Sequence, residues 1–271
     1  MSEARPEASA MHYRPAQGTS WRPAVRLYLS SFRMGDHPEH LVALAGNDRR
    51  RGVVIANAMD EAPPQVRGSA VELELAALTD LGVGAAELDL RGYFGHQQRL
   101  RQDLSGVSLA WLRGGNTFML RYALYRSGGD TVFRELLAAD ALVYAGYSAG
   151  ACVLSPSLRG LELVDDADAV TRAYGSPPLW DGLALLDEAF VPHYRSPGHP
   201  ETAAIERVVT WYRAEGIAYR VCAMGRPCSS TARKPRSYSR AFRTRRLAPG
   251  RHARGDCPDT FPWSIRCPHA G

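Results

Sequence analysis

Long apolar runs are missing from this chain. No stretch of its 271 residues approaches the roughly 20 consecutive apolar side chains that cross a bilayer, which argues against a helical membrane span. Residues 1–24, MSEARPEASAMHYRPAQGTSWRPA, also lack the apolar core of a secretion signal, so they read as a disordered leader on a cytoplasmic protein. Cysteine is scarce and lopsided: Cys152 stands alone in the body, while Cys222, Cys228, Cys257 and Cys267 all lie beyond Val221. With His252 and His269 these four invite a zinc or disulfide reading, yet the paired C-x2-C spacing that makes a zinc prediction strong is absent. No metal site is expected. Acidic residues are missing from the C-terminal end: residues 221–271 carry 11 basic and 2 acidic side chains, against 22 and 26 in residues 1–220. The net charge of +5 therefore belongs to the tail, and the mildly acidic body gives no reason to expect nucleic acid.

From Val221 the periodicity of strands and helices stops, and the chain turns to Arg, Ser, Pro and Cys (RPCSSTARKPRSYSRAFRTRRLAPGRHARG). A natural basic tail is one explanation. A shifted reading frame is the favoured one. With GC-rich codons, RVCAMGRPCSSTA re-reads one base earlier as Arg-Leu-Arg-Asp-Gly-Gln-Ala-Leu-Leu-Val-Asp-Gly, a charged turn and then an apolar strand.

Between residues 25 and 220 apolar runs alternate with helical patterns. VRLYLS (25–30), GVVIANA (52–58), AAELDL (85–90), VSLAWLRGG (107–115), ALVYAGYS (141–148) and LALLDEAFVPH (183–193) read as strands. HPEHLVALAG, PPQVRGSAVELELAALTDLG, GHQQRLRQDLSG, NTFMLRYALYRSG, DTVFRELLAAD and PETAAIERVVTWYRAEG read as helices, with Asn116 placed to cap the fourth. Such alternation predicts one α/β domain over 25–220, a three-layer, doubly wound, mostly parallel sheet. Chemistry in such sheets gathers at the carboxyl ends of strands.

Two glycine-containing turns lie there. Gly146-Tyr147-Ser148-Ala149-Gly150 comes straight after an apolar strand and fits the G-x-S-x-G nucleophile elbow, in which a serine is held on a tight turn that only small flanking residues permit. LRGGNTF (112–118) could aim the Gly114 or Gly115 N–H at a developing oxyanion, beside the N–H of Ala149. A third stretch, AFVPHYRSPGHPE (189–201), ends an apolar run on His193, a group that titrates in the range a general base needs. His199 is its competitor, placed to flank the next helix. Cys152, one turn past the serine, reads as core.

LRGGNTF, GYSAGACVLSPS and FVPHYRSPGHPE, in this order, resemble the peptidase E family of serine peptidases (aspartyl dipeptidases and their relatives), over roughly residues 25–220. The resemblance implies a class I glutamine amidotransferase-like fold and a Ser-His-acid hydrolase without metal or cofactor. It matches Ser148 to the nucleophile and His193 to the base, and implies short peptides with an N-terminal aspartate as substrates. Serine at the elbow, where amidotransferases carry cysteine, argues against ammonia transfer. For the triad acid, LELVDDADAV offers Asp165 and Asp166, of which Asp166 is taken. The aspartate of the re-read frame is the alternative, since relatives carry an acidic residue beside glycine there. Arg113, Arg159 and Arg195 could meet a substrate carboxylate, Arg195 first. A monomer or homodimer acting on short peptides is expected. A catalytically impaired binding module of the same fold is the second reading.

Overall fold

The computed structural model describes residues 25–46, 51–223 and 229–231. Five parallel strands form the main sheet in the order β1-β5-β4-β2-β3: β1 (Arg26–Ser30), β2 (Gly52–Ile55), β3 (Ala85–Glu87), β4 (Leu109–Leu112) and β5 (Val143–Tyr147). The inner strands β2, β4 and β5 are buried along their whole length, which is why GVVI, LAWL and VYAGY carry almost no polar side chains. Side chains alternate between two cores. Val54, Leu109, Trp111, Val143, Ala145 and Tyr147 face one, while Val53, Ile55, Ala110, Leu112 and Tyr144 face the other. Helices cover both faces, giving the three-layer α/β fold expected from the alternation.

Those helices are α1 (Pro38–Ala45), α2 (Pro64–Asp80), α3 (Gln97–Asp103), α4 (Thr117–Ser127), α5 (Gly129–Ala138), the single turn α6 (Ala149–Cys152), α7 (Ala169–Tyr174) and α8 (Thr202–Glu215). Asn116 caps α4 as its position suggests: its Oδ1 accepts the N–H groups of Phe118 at 2.9 Å and Met119 at 3.2 Å. Among the described residues no helix is long and apolar enough to cross a membrane.

A second, smaller sheet departs from the single sheet expected. Strands β6 (Ala189–Val191) and β7 (Tyr219–Val221) run parallel, and β8 (Ser229–Thr231) pairs antiparallel with β7. The long strand expected over 183–193 shrinks to three residues. Its first half is otherwise engaged: the Leu183 N–H donates to Val153 O at 2.8 Å, and Leu185 and Leu186 donate to Leu154 O at 3.0 and 3.1 Å. β8 falls inside the stretch read as an aperiodic tail, so strand structure continues past Val221. The leader, residues 224–228 and 232–271, with Cys228, Cys257, Cys267, His252 and His269, lie outside the described residues.

Candidate active site

The serine sits where β5 meets α6, with φ 48° and ψ −116°. A residue with a Cβ adopts positive φ at a cost of about 1–2 kcal/mol, so the turn is over-determined by its surroundings. Its glycine bracket explains how. A Cβ on Gly150 would stand 2.2 Å from the Leu112 carbonyl oxygen, and one on Gly146 would stand 2.9 Å from the same atom. Helix α6 and strand β4 therefore approach more closely than any other residue pair would allow. Two buried polar groups lock the approach. The Tyr144 hydroxyl donates to Gly150 O at 2.6 Å, and the Tyr147 hydroxyl donates to Glu74 Oε1 at 2.7 Å. Glu74 is 5% exposed and also accepts the Trp111 Nε1–H at 2.8 Å, with Arg113 Nε at 3.4 Å. Sequence reasoning misses this carboxylate behind the nucleophile turn. Its only signal is an acidic residue amid the apolar spacing of VELELAAL.

The loop after β4 closes over the serine. A Cβ on Gly114 would stand 3.0 Å from Ser148 Cβ, and Gly115 takes φ 146° against the Ala58 carbonyl oxygen. The neighbours of these glycines are tied down: the Arg113 N–H donates to Ile55 O at 3.0 Å and the Asn116 N–H to Ala58 O at 2.8 Å. The N–H groups of Gly115 and Ala149 donate to no other group among the described residues. Two unengaged donors beside a nucleophile are what an oxyanion site requires.

The base side is built on β6. Its carboxyl end delivers Pro192 and His193, and His193 takes φ 57°. The ring is 2% exposed. Its position relative to the serine is set by the end of β1. Ser30 O accepts the Ser148 N–H at 3.4 Å, while the next residue, Ser31, accepts the His193 N–H on Oγ at 2.8 Å. Nucleophile and base thus hang on two adjacent residues, whose Cα atoms are about 3.8 Å apart. His193 Nδ1 also lies 3.4 Å from Ser31 Oγ. Phe32 completes the bridge, edge-on to Tyr147 and His193 at 6.2 Å each. The competitor His199 proves to be a neighbour: its ring stacks on His193 at 3.8 Å with an interplanar angle of 8°.

Burial and the adjacent His199 hold the His193 imidazole down at about 3, so it is neutral at physiological pH. A neutral imidazole can take a proton, yet the imidazolium that results is disfavoured where no carboxylate is hydrogen-bonded to it. The nearest acid among the described residues is Glu201, whose Oε2 lies 3.9 Å from His193 Nε2. Burial, then the charge of Asp165, push the Glu201 carboxyl up to about 7. From the sequence Glu201 reads only as a helix-start residue. The signal is its place eight residues beyond the histidine, in the same motif.

The structure does not bring Asp166 to His193. Its exposed carboxylate accepts the Asp168 N–H at 2.9 Å and pairs with Arg172 at 2.7 Å, an ordinary arrangement for the entry to α7. Asp165 points inward and accepts the Thr117 N–H at 2.9 Å, at the start of α4. Burial holds its carboxyl up at about 6. Arg195 is exposed and lies over the Tyr194 ring at 5.1 Å, and Arg159 lies over Trp180 at 4.9 Å. Cys152 is core as expected: it is 2% exposed, and burial raises its thiol well above the usual range.

Ser148 and His193 are anchored on the adjacent residues Ser30 and Ser31. Residues 36–223 match peptidase family S51. The chain belongs to that family. Membership marks it as a serine peptidase. An uncharacterized peptidase of Listeria monocytogenes is 30% identical over 149 residues, covering 55% of this chain and 68% of that protein. Peptidase E of a Shewanella species is 29% identical over 142 residues, 51% of this chain and 55% of its own length. The chain thus spans little more than half the length of the Peptidase E relatives it matches. A crystal structure of a candidate peptidase E protein from Listeria monocytogenes superposes with a TM-score of 0.59 at 25% identity, covering 78% of this chain and all of that one.

Proposed function

We propose that this chain is a serine-type exopeptidase for short peptides, with substrates carrying an N-terminal aspartate as the first class to test. The observation that carries the reading is the shared anchorage of Ser148 and His193 on Ser30 and Ser31, beside the unengaged N–H groups of Gly115 and Ala149. In the proposed reaction Ser148 Oγ attacks the scissile carbonyl and His193 takes its proton. The carbonyl oxygen, now anionic, rests on the two N–H groups, each worth about 3–4 kcal/mol in sites of this kind. His193 then returns the proton to the departing amine, and water repeats the cycle on the acyl-enzyme. Arg195, two residues past the base, is the proposed partner for a substrate carboxylate. Asp166 is engaged with Arg172, so the proposed acid is the aspartate of the re-read frame, which the chain as it stands does not carry.

A second reading rests on one observation: among the described residues no carboxylate is hydrogen-bonded to His193. A buried imidazole in that state is a weak base, and the chain would then bind peptides without turning them over. A fluorophosphonate probe separates the two. Labelling that disappears in Ser148→Ala, with hydrolysis of an Asp-X dipeptide falling by about 10³-fold or more, supports the peptidase. Absence of labelling in the folded wild-type chain would leave the binding module.

A further inference from the structure

We propose that His193, His199 and Glu201 form a zinc site that shuts the catalytic base off reversibly, a regulation that rests on the peptidase reading. One ligand atom from each of the three residues lies within 4.8 Å of the others, the one such His-carboxylate group among the described residues. Donor atoms around a tetrahedral zinc ion stand about 3.3 Å apart. His193 Nε2 and Glu201 Oε2, at 3.9 Å, are close to that spacing. The far nitrogen of His193 faces Ser31 Oγ at 3.4 Å, the orienting contact that a zinc-bound imidazole ordinarily makes through its other nitrogen.

The loop that carries the three donors is held from within. The Thr202 hydroxyl donates to Ser196 O at 2.8 Å and reaches His193 O at 3.3 Å, and the His199 N–H donates to Ser196 O at 3.1 Å. His199 is half-buried, so its ring can tilt from the parallel stack towards a shared ion. Its Nδ1 accepts only a long 3.3 Å bond from the Glu201 N–H, which coordination would replace. Two histidines and one carboxylate leave a fourth position for water. Zinc on His193 occupies the lone pair that must accept the Ser148 proton, so binding and proton transfer exclude each other.

The test uses the full chain with its accessible thiols alkylated, so that any zinc bound is not held by free cysteine thiolates. Titration with zinc chloride, read by calorimetry, is expected to show one ion per chain, and zinc is expected to block fluorophosphonate labelling of Ser148 until EDTA is added. His199→Gln and Glu201→Gln should each weaken binding by more than the roughly 10–100-fold that loss of an outer-shell partner costs. Cobalt(II) loaded in place of zinc reports tetrahedral coordination by its absorption, and circular dichroism with a thermal melt of each variant recognises one that folds poorly. Ser148→Ala should bind zinc as the wild type does, which keeps this site separable from the peptidase reading. Zinc affinity unchanged in both ligand variants, or labelling that persists at saturating zinc, overturns the proposal.

Discussion

The two halves of the site are built differently. The serine half belongs to a five-stranded parallel sheet: β5 is hydrogen-bonded on both sides, and Glu74 ties Tyr147, Trp111 and Arg113 together beneath the turn. The histidine half rests on three-residue strands in a small separate sheet, next to a loop with two non-glycine residues, His193 and Arg195, at positive φ. One half is drawn from residues 26–150, β1 included. The other leans on chain beyond Val221, where β8 joins β7. A nucleophile can thus be fully assembled while its base stays poorly supported.

The largest expected effect tests that imbalance directly. Replacing the chain from Arg220 to its C-terminus by the shifted-frame sequence introduces an aspartate beside glycine just past β7. If it reaches His193, the imidazolium gains a partner, and the rate of Asp-X hydrolysis should rise by up to about 10⁴-fold, the scale of losing a triad acid elsewhere. The acid limb of the pH-rate profile should then move up from the low value that burial imposes on His193. Equal rates in the two chains would show that the base half needs nothing beyond the described residues.

A smaller effect compares glycines from the two halves. Gly150→Ala puts a methyl group 2.2 Å from a backbone oxygen in the middle of the sheet, so loss of about 3 kcal/mol or more is expected, or failure to fold. Gly198→Ala, in the histidine loop, meets open space and has only its φ of 79° to overcome, a loss of about 1–2 kcal/mol. Thermal melts of both variants check the contrast. Similar losses would mean that the elbow is no more tightly determined than the loop.

Legibility in the sequence divides along the same line. The strands β2, β4 and β5 announce themselves because a strand buried on both faces must be apolar throughout, and the elbow is marked by its glycines. Asn116 as a cap is a matter of local chemistry alone. The histidine half is harder. His193 and His199 compete in the sequence but stack in space, and nothing in a linear pattern shows that two rings six residues apart lie 3.8 Å from each other. Asp165 and Asp166 are adjacent and chemically alike, and only tertiary placement turns one inward to α4 and the other outward to Arg172. Glu74 is hidden because its partners sit 37 and 73 residues away.

Asp165 is the point where the halves meet, and it yields the mildest test. Its carboxyl accepts the Thr117 N–H behind the oxyanion loop, and its charge helps raise Glu201 on the histidine side. Burial holds the folded value at about 6, against 3.8 in the unfolded chain. Below pH 3.8 both states are protonated and the residue has no pH effect on folding. As pH rises towards 6 the unfolded chain ionises first, so stability falls, by on the order of 2–3 kcal/mol in all, and then levels off. Asp165→Asn keeps an oxygen for the Thr117 N–H and has no proton to lose. The variant should therefore melt higher than the wild type at pH 8 and equally at pH 3.5, and Glu201 should titrate closer to the ordinary carboxylate range. Calorimetric melts from pH 3.5 to 8 measure the first effect, and carboxyl titration by NMR the second. Parallel melting curves for the two proteins across that range would mean that Asp165 is solvated, and that charge does not couple the serine half to the histidine half through it.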